Sequence, residues 1–95
     1  MAFSAADTVS RAPGAIYAEL DRDCILVDVE AGKYLQLNPV GAEIWKTLAA
    51  PVLVGELCRR LHARFDAPPE TIDADVMAFL EKLEARGMLT KNAAP

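Results

Sequence analysis

The chain has 95 residues, 53% of them hydrophobic, and this length fits one domain whose modest core folds without a metal ion or a disulfide. Two cysteines are too few for a disulfide framework, and the N-terminal residues lack the basic and apolar regions of a secretion signal, so we expect a cytoplasmic protein. The net charge of −4 argues against nucleic-acid binding, which depends on Lys and Arg contacts with phosphate, and no apolar run is long enough to span a membrane.

The N-terminal half of the chain predicts a three-stranded antiparallel sheet. Residues 1–13 are small, polar and aperiodic, and we expect them to form a mobile arm outside the domain. The strands are predicted at Ala15–Leu20, at residues 24–29 and at Lys33–Leu37, where the side chains alternate between two faces. Gly32, at a position that favours positive φ, closes the hairpin between the last two strands.

Three helices are predicted after the strands. Asn38 and Pro39 indicate the start of the first, because Asn is a strong N-cap and Pro is favoured at the first helical position. The second helix is predicted over residues 53–65 and the third over residues 69–86. Gly87 then serves as the left-handed residue that ends the third helix.

The order of three strands and then three helices predicts an α+β fold with the sheet and the helices in separate layers. Each helix has one apolar stripe that can pack on the sheet. The stripe residues are Ile44, Trp45 and Leu48 in the first helix, Val54, Leu57, Cys58, Leu61 and Phe65 in the second, and Ile72, Val76, Phe79, Leu80 and Leu83 in the third. The predicted domain covers residues 14–90, and residues 91–95 are expected to form a mobile tail.

The sequence predicts neither an active site nor a metal centre. His62 lies four residues after Cys58, which places the two on one helical surface, but nothing supplies a third orienting group or an oxyanion donor. Two cysteines and one histidine lack the ligands of a structural zinc site, and the carboxylates of Asp73 and Asp75 suit the first turn of a helix. We therefore expect no catalytic residue, no metal ligand and no cofactor.

A strand edge beside the third helix is the candidate binding site. If Lys33–Leu37 lies at the edge of the sheet, its unpaired N–H and C=O groups can accept an extended peptide. Tyr34 or Leu35 would form the lip, and Asp75 and Lys82 would hold polar side chains of the guest. The apolar wall would come from the third helix, through Val76, Phe79, Leu80 and Leu83. The alternative is that these apolar residues form only the core.

Three segments carry a family resemblance: residues 28–45 (DVEAGKYLQLNPVGAEIW), the Leu61–x–x–x–Phe65 spacing, and residues 75–89 (DVMAFLEKLEARGML). Together they resemble the PqqD-like family, the leader-peptide recognition elements of ribosomally synthesised and post-translationally modified peptides (RiPPs). The resemblance covers residues 15–89. The chain departs from the family pattern at residues 51–53, where Pro-Val-Leu stands in place of the usual Thr or Ser cap of the second helix.

The resemblance implies a winged helix-turn-helix-like fold that binds a peptide instead of DNA. The leader of a precursor peptide would add as a strand beside the third strand, against the third helix, and the domain would hand the precursor to a modifying enzyme or a leader protease without catalysis of its own. The implied peptide-binding residues are Lys33, Tyr34, Leu35, Gln36, Leu37, Asn38, Asp75, Val76, Phe79, Leu80, Lys82 and Leu83.

Several functional alternatives stay open. The motif is most similar to free-standing recognition proteins of lasso-peptide pathways, and a PqqD-type chaperone in pyrroloquinoline quinone biosynthesis is the rival. A winged-helix nucleic-acid binder is disfavoured because the third helix is acidic. An adaptor would offer the same strand edge to a folded subunit, and the protein itself would be a monomer or a weak or domain-swapped dimer.

Overall fold

The computed structural model describes residues 3–21 and 23–92 of the chain. Along these residues, strands and helices follow one another in the order β1 (Thr8–Arg11), β2 (Ala15–Leu20), β3 (Asp23–Asp28), β4 (Lys33–Leu37), α1 (Pro39–Thr47), β5 (Val52–Leu53), α2 (Val54–Arg64), α3 (Pro69–Ala85) and β6 (Leu89–Asn92). None of the helices in this part of the chain is long and apolar enough to cross a membrane.

The predicted three-stranded sheet is confirmed, with the strand order β2-β3-β4 and antiparallel pairing throughout. Its register places Val27 opposite Ile16 on one side and Tyr34 on the other. At the β3–β4 turn, the amide of Ala31 donates a hydrogen bond of 3.1 Å to the Asp28 carboxylate, and Gly32 has the expected positive φ of 67°. Among the described residues β4 pairs with β3 alone, so it is an edge strand.

A second sheet, in the order β5-β1-β6, was not predicted from the sequence. Its central strand is Thr8–Arg11, which the sequence placed in a mobile arm outside the domain. The structure corrects this: β1 pairs antiparallel with both β5 and β6, and Phe3 and Val9 are buried in the core. The predicted tail begins inside β6, because Lys91 pairs with Val9, while residues 93–95 lie outside the described residues.

The N-terminal segment also explains how α2 starts without a Ser or Thr cap. Leu53 occupies the N-cap position and provides no side-chain hydrogen bond. Instead, the amide of Val54 donates to the Asp7 carbonyl at 2.9 Å, and the amide of Gly55 donates to the Ala5 carbonyl at 3.1 Å. Two N–H groups that a helix start normally leaves unsatisfied are therefore paired with backbone of the N-terminal segment.

The three predicted helices are confirmed, and α2 and α3 begin and end within one residue of their predicted limits. The amide of Gly41 donates a 2.7 Å hydrogen bond to the Asn38 side chain, with Pro39 as the first helical residue. Gly87 follows α3 with a φ of 71°, as expected for a residue that ends a helix in the left-handed conformation.

One core joins the helices to both sheets. The predicted stripe residues are buried, with two exceptions: Phe65 and Phe79 are only partly buried, at the margin of the core. Met88, just after α3, is also buried. The partly buried ring of Phe79 keeps some surface that a ligand can contact, so Phe79 marks the candidate site.

Candidate peptide-binding groove

Two cavities border α3, one near each end of β4. The first lies just beyond the end of β4, between α1 and α3, and is lined by Asn38, Val40, Gly41, Ile44, Asp75, Ala78, Phe79 and Lys82. The second lies at the start of β4 and is lined by Asp28, Ala31, Lys33, Ala85, Arg86 and Met88. The start of β4 thus faces the end of α3, and the two elements run in opposite directions. We call the surface formed by these two cavities the β4–α3 groove.

The first cavity depends on a close approach between α1 and α3. A Cβ atom added at Gly41 would lie 3.4 Å from Cε1 of the Phe79 ring and 3.3 Å from the Asn38 cap oxygen. Glycine at this position therefore lets the ring pack beside the first turn of α1. Val40, Gly41 and Ala78 line this cavity but were not predicted as site residues, although all three lie in the segments that carry the family resemblance. The small residues Gly41 and Ala78 were the available signal, because small side chains at an apolar contact leave space.

Five of the predicted site residues line the groove. Asn38, Asp75, Phe79 and Lys82 meet in the first cavity, and Lys33 lies in the second. Leu35 is half-buried, and it lies opposite the fully buried Leu26 of β3. Directly opposed residues of an antiparallel pair point to the same face of the sheet, so Leu35 belongs to the face that packs on the core. Of the two candidates for the lip, the geometry favours Leu35.

Tyr34 and Gln36 lie on the other face of the sheet. Tyr34 is 70% exposed and pairs with Val27, while Gln36 pairs with Ile25. Their backbone groups belong to the edge strand, but their side chains point away from α3 because they alternate with Leu35. They belong to the predicted site through the main chain only.

Four predicted contact residues belong to the core instead. Val76, Leu80 and Leu83 have no exposed surface, and Leu37 is 6% exposed. They were predicted from the apolar stripe of α3 and from the alternation along β4, and both patterns identify the inward face without giving its depth. These side chains support the groove from behind and offer a guest almost no surface to contact.

The His62–Cys58 pair is not arranged for catalysis. His62 Nε2 lies 2.8 Å from Asp73 Oδ1, which links α2 to α3. Burial, and after it a hydrogen bond with Asp73, raises the pKa of the Cys58 thiol to about 11. A thiol that stays protonated at neutral pH is a poor nucleophile. Within the described residues, no group of three or more His, Cys, Asp and Glu side chains is placed to hold a metal ion.

Comparison with known protein families shows the family to which the chain belongs. The family model for coenzyme PQQ synthesis protein D (PqqD) matches residues 23–89, more than half of the chain. The chain belongs to the PqqD family. Members of this family are RiPP recognition elements that bind peptides without catalysis of their own, so the prediction of a non-enzyme is confirmed. No curated protein matches the chain.

Three solved structures share the fold at low sequence identity. TbiB1 in complex with the TbiA(beta) leader peptide aligns with 90% of this chain and 99% of its own, at 24% identity and a TM-score of 0.74. Lasso peptide synthetase B1, complexed with the leader peptide, aligns over 86% and 96%, at 23% identity and a TM-score of 0.73. The PqqD truncation of Methylobacterium extorquens PqqCD, a stand-alone RiPP recognition element, aligns over 94% and 95%, at 22% identity and a TM-score of 0.77. These likenesses confirm the predicted α+β, winged helix-turn-helix-like fold.

Proposed function

We propose that this protein binds the leader region of a ribosomally made precursor peptide as an added strand beside β4, and delivers the precursor to a modifying or leader-cleaving enzyme. The observation that carries the proposal is the edge strand β4 and, near its end, the partly buried ring of Phe79, in a groove with polar groups at its rim. Family membership supports it, as do the leader peptides bound to TbiB1 and to lasso peptide synthetase B1.

The two sides of the groove have different roles in this mechanism. Main-chain hydrogen bonds from Lys33–Leu37 align the leader without reading its sequence. Side chains of the leader alternate between two faces, and those that point to α3 enter the first cavity beside Phe79 and are read there. A leader that orders on binding gives up part of the interaction energy, so we expect micromolar to nanomolar affinity. The enzyme gains from a raised local concentration of precursor.

A lasso-peptide pathway is our preferred setting. The form of residues 28–45 supports it, and so does the likeness in fold to a lasso peptide synthetase subunit. The rival setting is pyrroloquinoline quinone biosynthesis, which the description of the matching family favours. The free thiols of Cys24 and Cys58 support action in the cytoplasm. Binding to leaders encoded beside the gene distinguishes the two pathways, since each has its own precursor.

An adaptor role has one observation in its favour. Ile16, Val27 and Tyr34 form a row across the sheet on the face that points away from the helices, and Ile16 and Tyr34 are 55% and 70% exposed. Exposed apolar surface of this kind suits a folded protein partner. In our proposal this face contacts the enzyme that receives the precursor, whereas in the adaptor alternative the partner also occupies the β4 edge and no free peptide binds.

Fluorescence anisotropy with labelled leaders from neighbouring precursor genes tests the proposal. The test variant is Phe79→Ala, and the matched control is Phe65→Ala, which removes another partly buried ring that lies outside the groove. We expect saturable binding that Phe79→Ala weakens and Phe65→Ala leaves intact. Absence of binding to any neighbouring leader, with a folded partner captured at β4, would favour the adaptor.

A further inference from the structure

Among the described residues, most positively charged side chains have an acidic or aromatic partner, and the exceptions share one location. Five cations pair with carboxylates: Lys46 with Glu19 at 3.2 Å, Arg59 with Glu56, Arg60 with Glu56 at 3.7 Å, Arg64 with Glu43 at 3.1 Å, and Lys91 with Asp7 at 3.6 Å. Arg11 lies over the Trp45 ring, 5.3 Å from its centroid. Among the residues that the structure describes, which exclude Arg22, the cations with neither an acidic nor an aromatic partner are Lys33, Lys82 and Arg86.

All three unpaired cations line the β4–α3 groove. Lys82 borders the first cavity, while Lys33 and Arg86 border the second. Lys82 and Arg86 lie four residues apart on one helix surface, where like charges repel. The helix macrodipole accounts for cations near the end of α3 but not for Lys33, which belongs to β4. Two separate elements therefore bring positive charge to the same stretch of the groove.

The carboxylates of the groove offset only part of this positive charge. Asp28 lines the second cavity and lies directly opposite Lys33 in the β3–β4 pairing, but its carboxylate accepts a hydrogen bond from the Ala31 amide and forms no ion pair with Lys33 or Arg86. Asp75 lines the first cavity, beside the end of β4. With three cations and two carboxylates among its lining residues, the groove has a formal net charge of +1, in a protein whose net charge is −4.

We propose that the groove selects an extended peptide with acidic side chains opposite Lys33, Lys82 and Arg86. This inference rests on the proposed function and adds the chemical class of the guest. A strand added to β4 turns alternate side chains toward α3, where carboxylates meet these cations. Exposed charge pairs contribute modestly, about two- to five-fold in affinity each, but three together discriminate acidic from neutral peptides by about ten-fold or more.

Selection from a displayed library of random short peptides tests this inference without knowledge of the natural precursor. The test variant combines Lys33→Gln, Lys82→Gln and Arg86→Gln. The control combines Arg59→Gln, Arg60→Gln and Arg64→Gln, which remove the same charge from α2. We expect peptides enriched on the wild type to have an excess of Asp and Glu. One such peptide should lose about ten-fold or more in affinity for the test variant and much less for the control.

The failures of the two proposals are distinguishable through Phe79→Ala. If selected peptides lose affinity for Phe79→Ala but lack an acidic excess, or bind the test variant as tightly as the wild type, the acidic selectivity is wrong and groove binding stands. If no peptide is enriched, or if Phe79→Ala binds the selected peptides normally, the groove is not the peptide site and both proposals are overturned.

Discussion

β1 is hydrogen-bonded to β5 on one side and to β6 on the other, whereas β4 is paired only with β3 among the described residues. In the region around β1, polar groups are paired within the chain: backbone carbonyls of residues 5 and 7 cap α2, and Lys91 forms an ion pair with Asp7. The β4–α3 groove has an unpaired strand edge, a partly buried Phe79 and three cations without an ion-pair partner. One region is completed within the chain and stabilises the fold, while in our proposal the other is completed by a peptide ligand.

The largest expected effect is on the β1 side. Val9 is fully buried at the centre of the second sheet, so Val9→Asp places an unpaired charge in the core and should cost about 4 kcal/mol or more of the free energy of unfolding. Urea unfolding measures this cost. Ser10→Asp is the matched control, since the next residue points to the opposite face and should lose less than about 1 kcal/mol. Equal losses would show that β1 contributes little to the core.

The second effect is on binding. Phe79→Ala removes the aromatic wall of the first cavity and should weaken leader binding by about thirty-fold, the loss typical of an interface hot spot. Because the ring is only partly buried, the free energy of unfolding should fall by about 1–3 kcal/mol, which leaves the protein folded. Anisotropy titration and urea unfolding of the same samples separate the two quantities. Unchanged leader binding by a folded Phe79→Ala protein would show that the groove is not the leader-binding site.

We expect Asn38 to affect both stability and leader binding, because it caps α1 and lines the first cavity. Asn38→Ala should cost about 1 kcal/mol of stability through the lost cap, whereas Asn38→Ser should keep the cap and the stability. Urea unfolding of both variants checks this. If leader binding falls equally in both, the Asn amide itself contacts the guest. If leader binding falls only in Asn38→Ala, binding depends on the capped start of α1 and not on the Asn amide.

The smallest expected effect is on the reactivity of Cys58, which is buried in α2, outside the β4–α3 groove. Because its thiol pKa is raised to about 11, the rate of alkylation by iodoacetamide should be low at pH 8 and should rise with pH up to about 11. A Cys24→Ser background isolates this reaction, which mass spectrometry follows. A rate that levels off near pH 9 would contradict the raised pKa.

The sequence predicted the elements that have local signals. Asn38 and Pro39 located the start of α1, Gly87 located the end of α3, and the alternation in Lys33–Leu37 located the edge strand. β1, β5 and β6 were missed because short strands without periodicity are defined by pairing with distant residues. Burial depth also could not be predicted, so Leu80 was assigned to the guest although it is core.

Arg86 illustrates a different limit. From the sequence it is one more charged residue near the end of a helix, where cations are common. Its importance emerges only when β4 brings Lys33 into the same cavity and when the other cations are found to have partners. Unpaired charge is a property of the folded molecule, and no spacing along the chain indicates it.

Amide hydrogen exchange with and without a bound leader tests strand addition most directly. β2 and β4 are the two edges of the same three-stranded sheet, so β2 is an internal control. Our account predicts that a leader slows exchange at alternate amides of Lys33–Leu37 and leaves Ala15–Leu20 unchanged, since only the groove edge gains hydrogen-bond partners. Protection at β2, or leader binding without protection at β4, would contradict it.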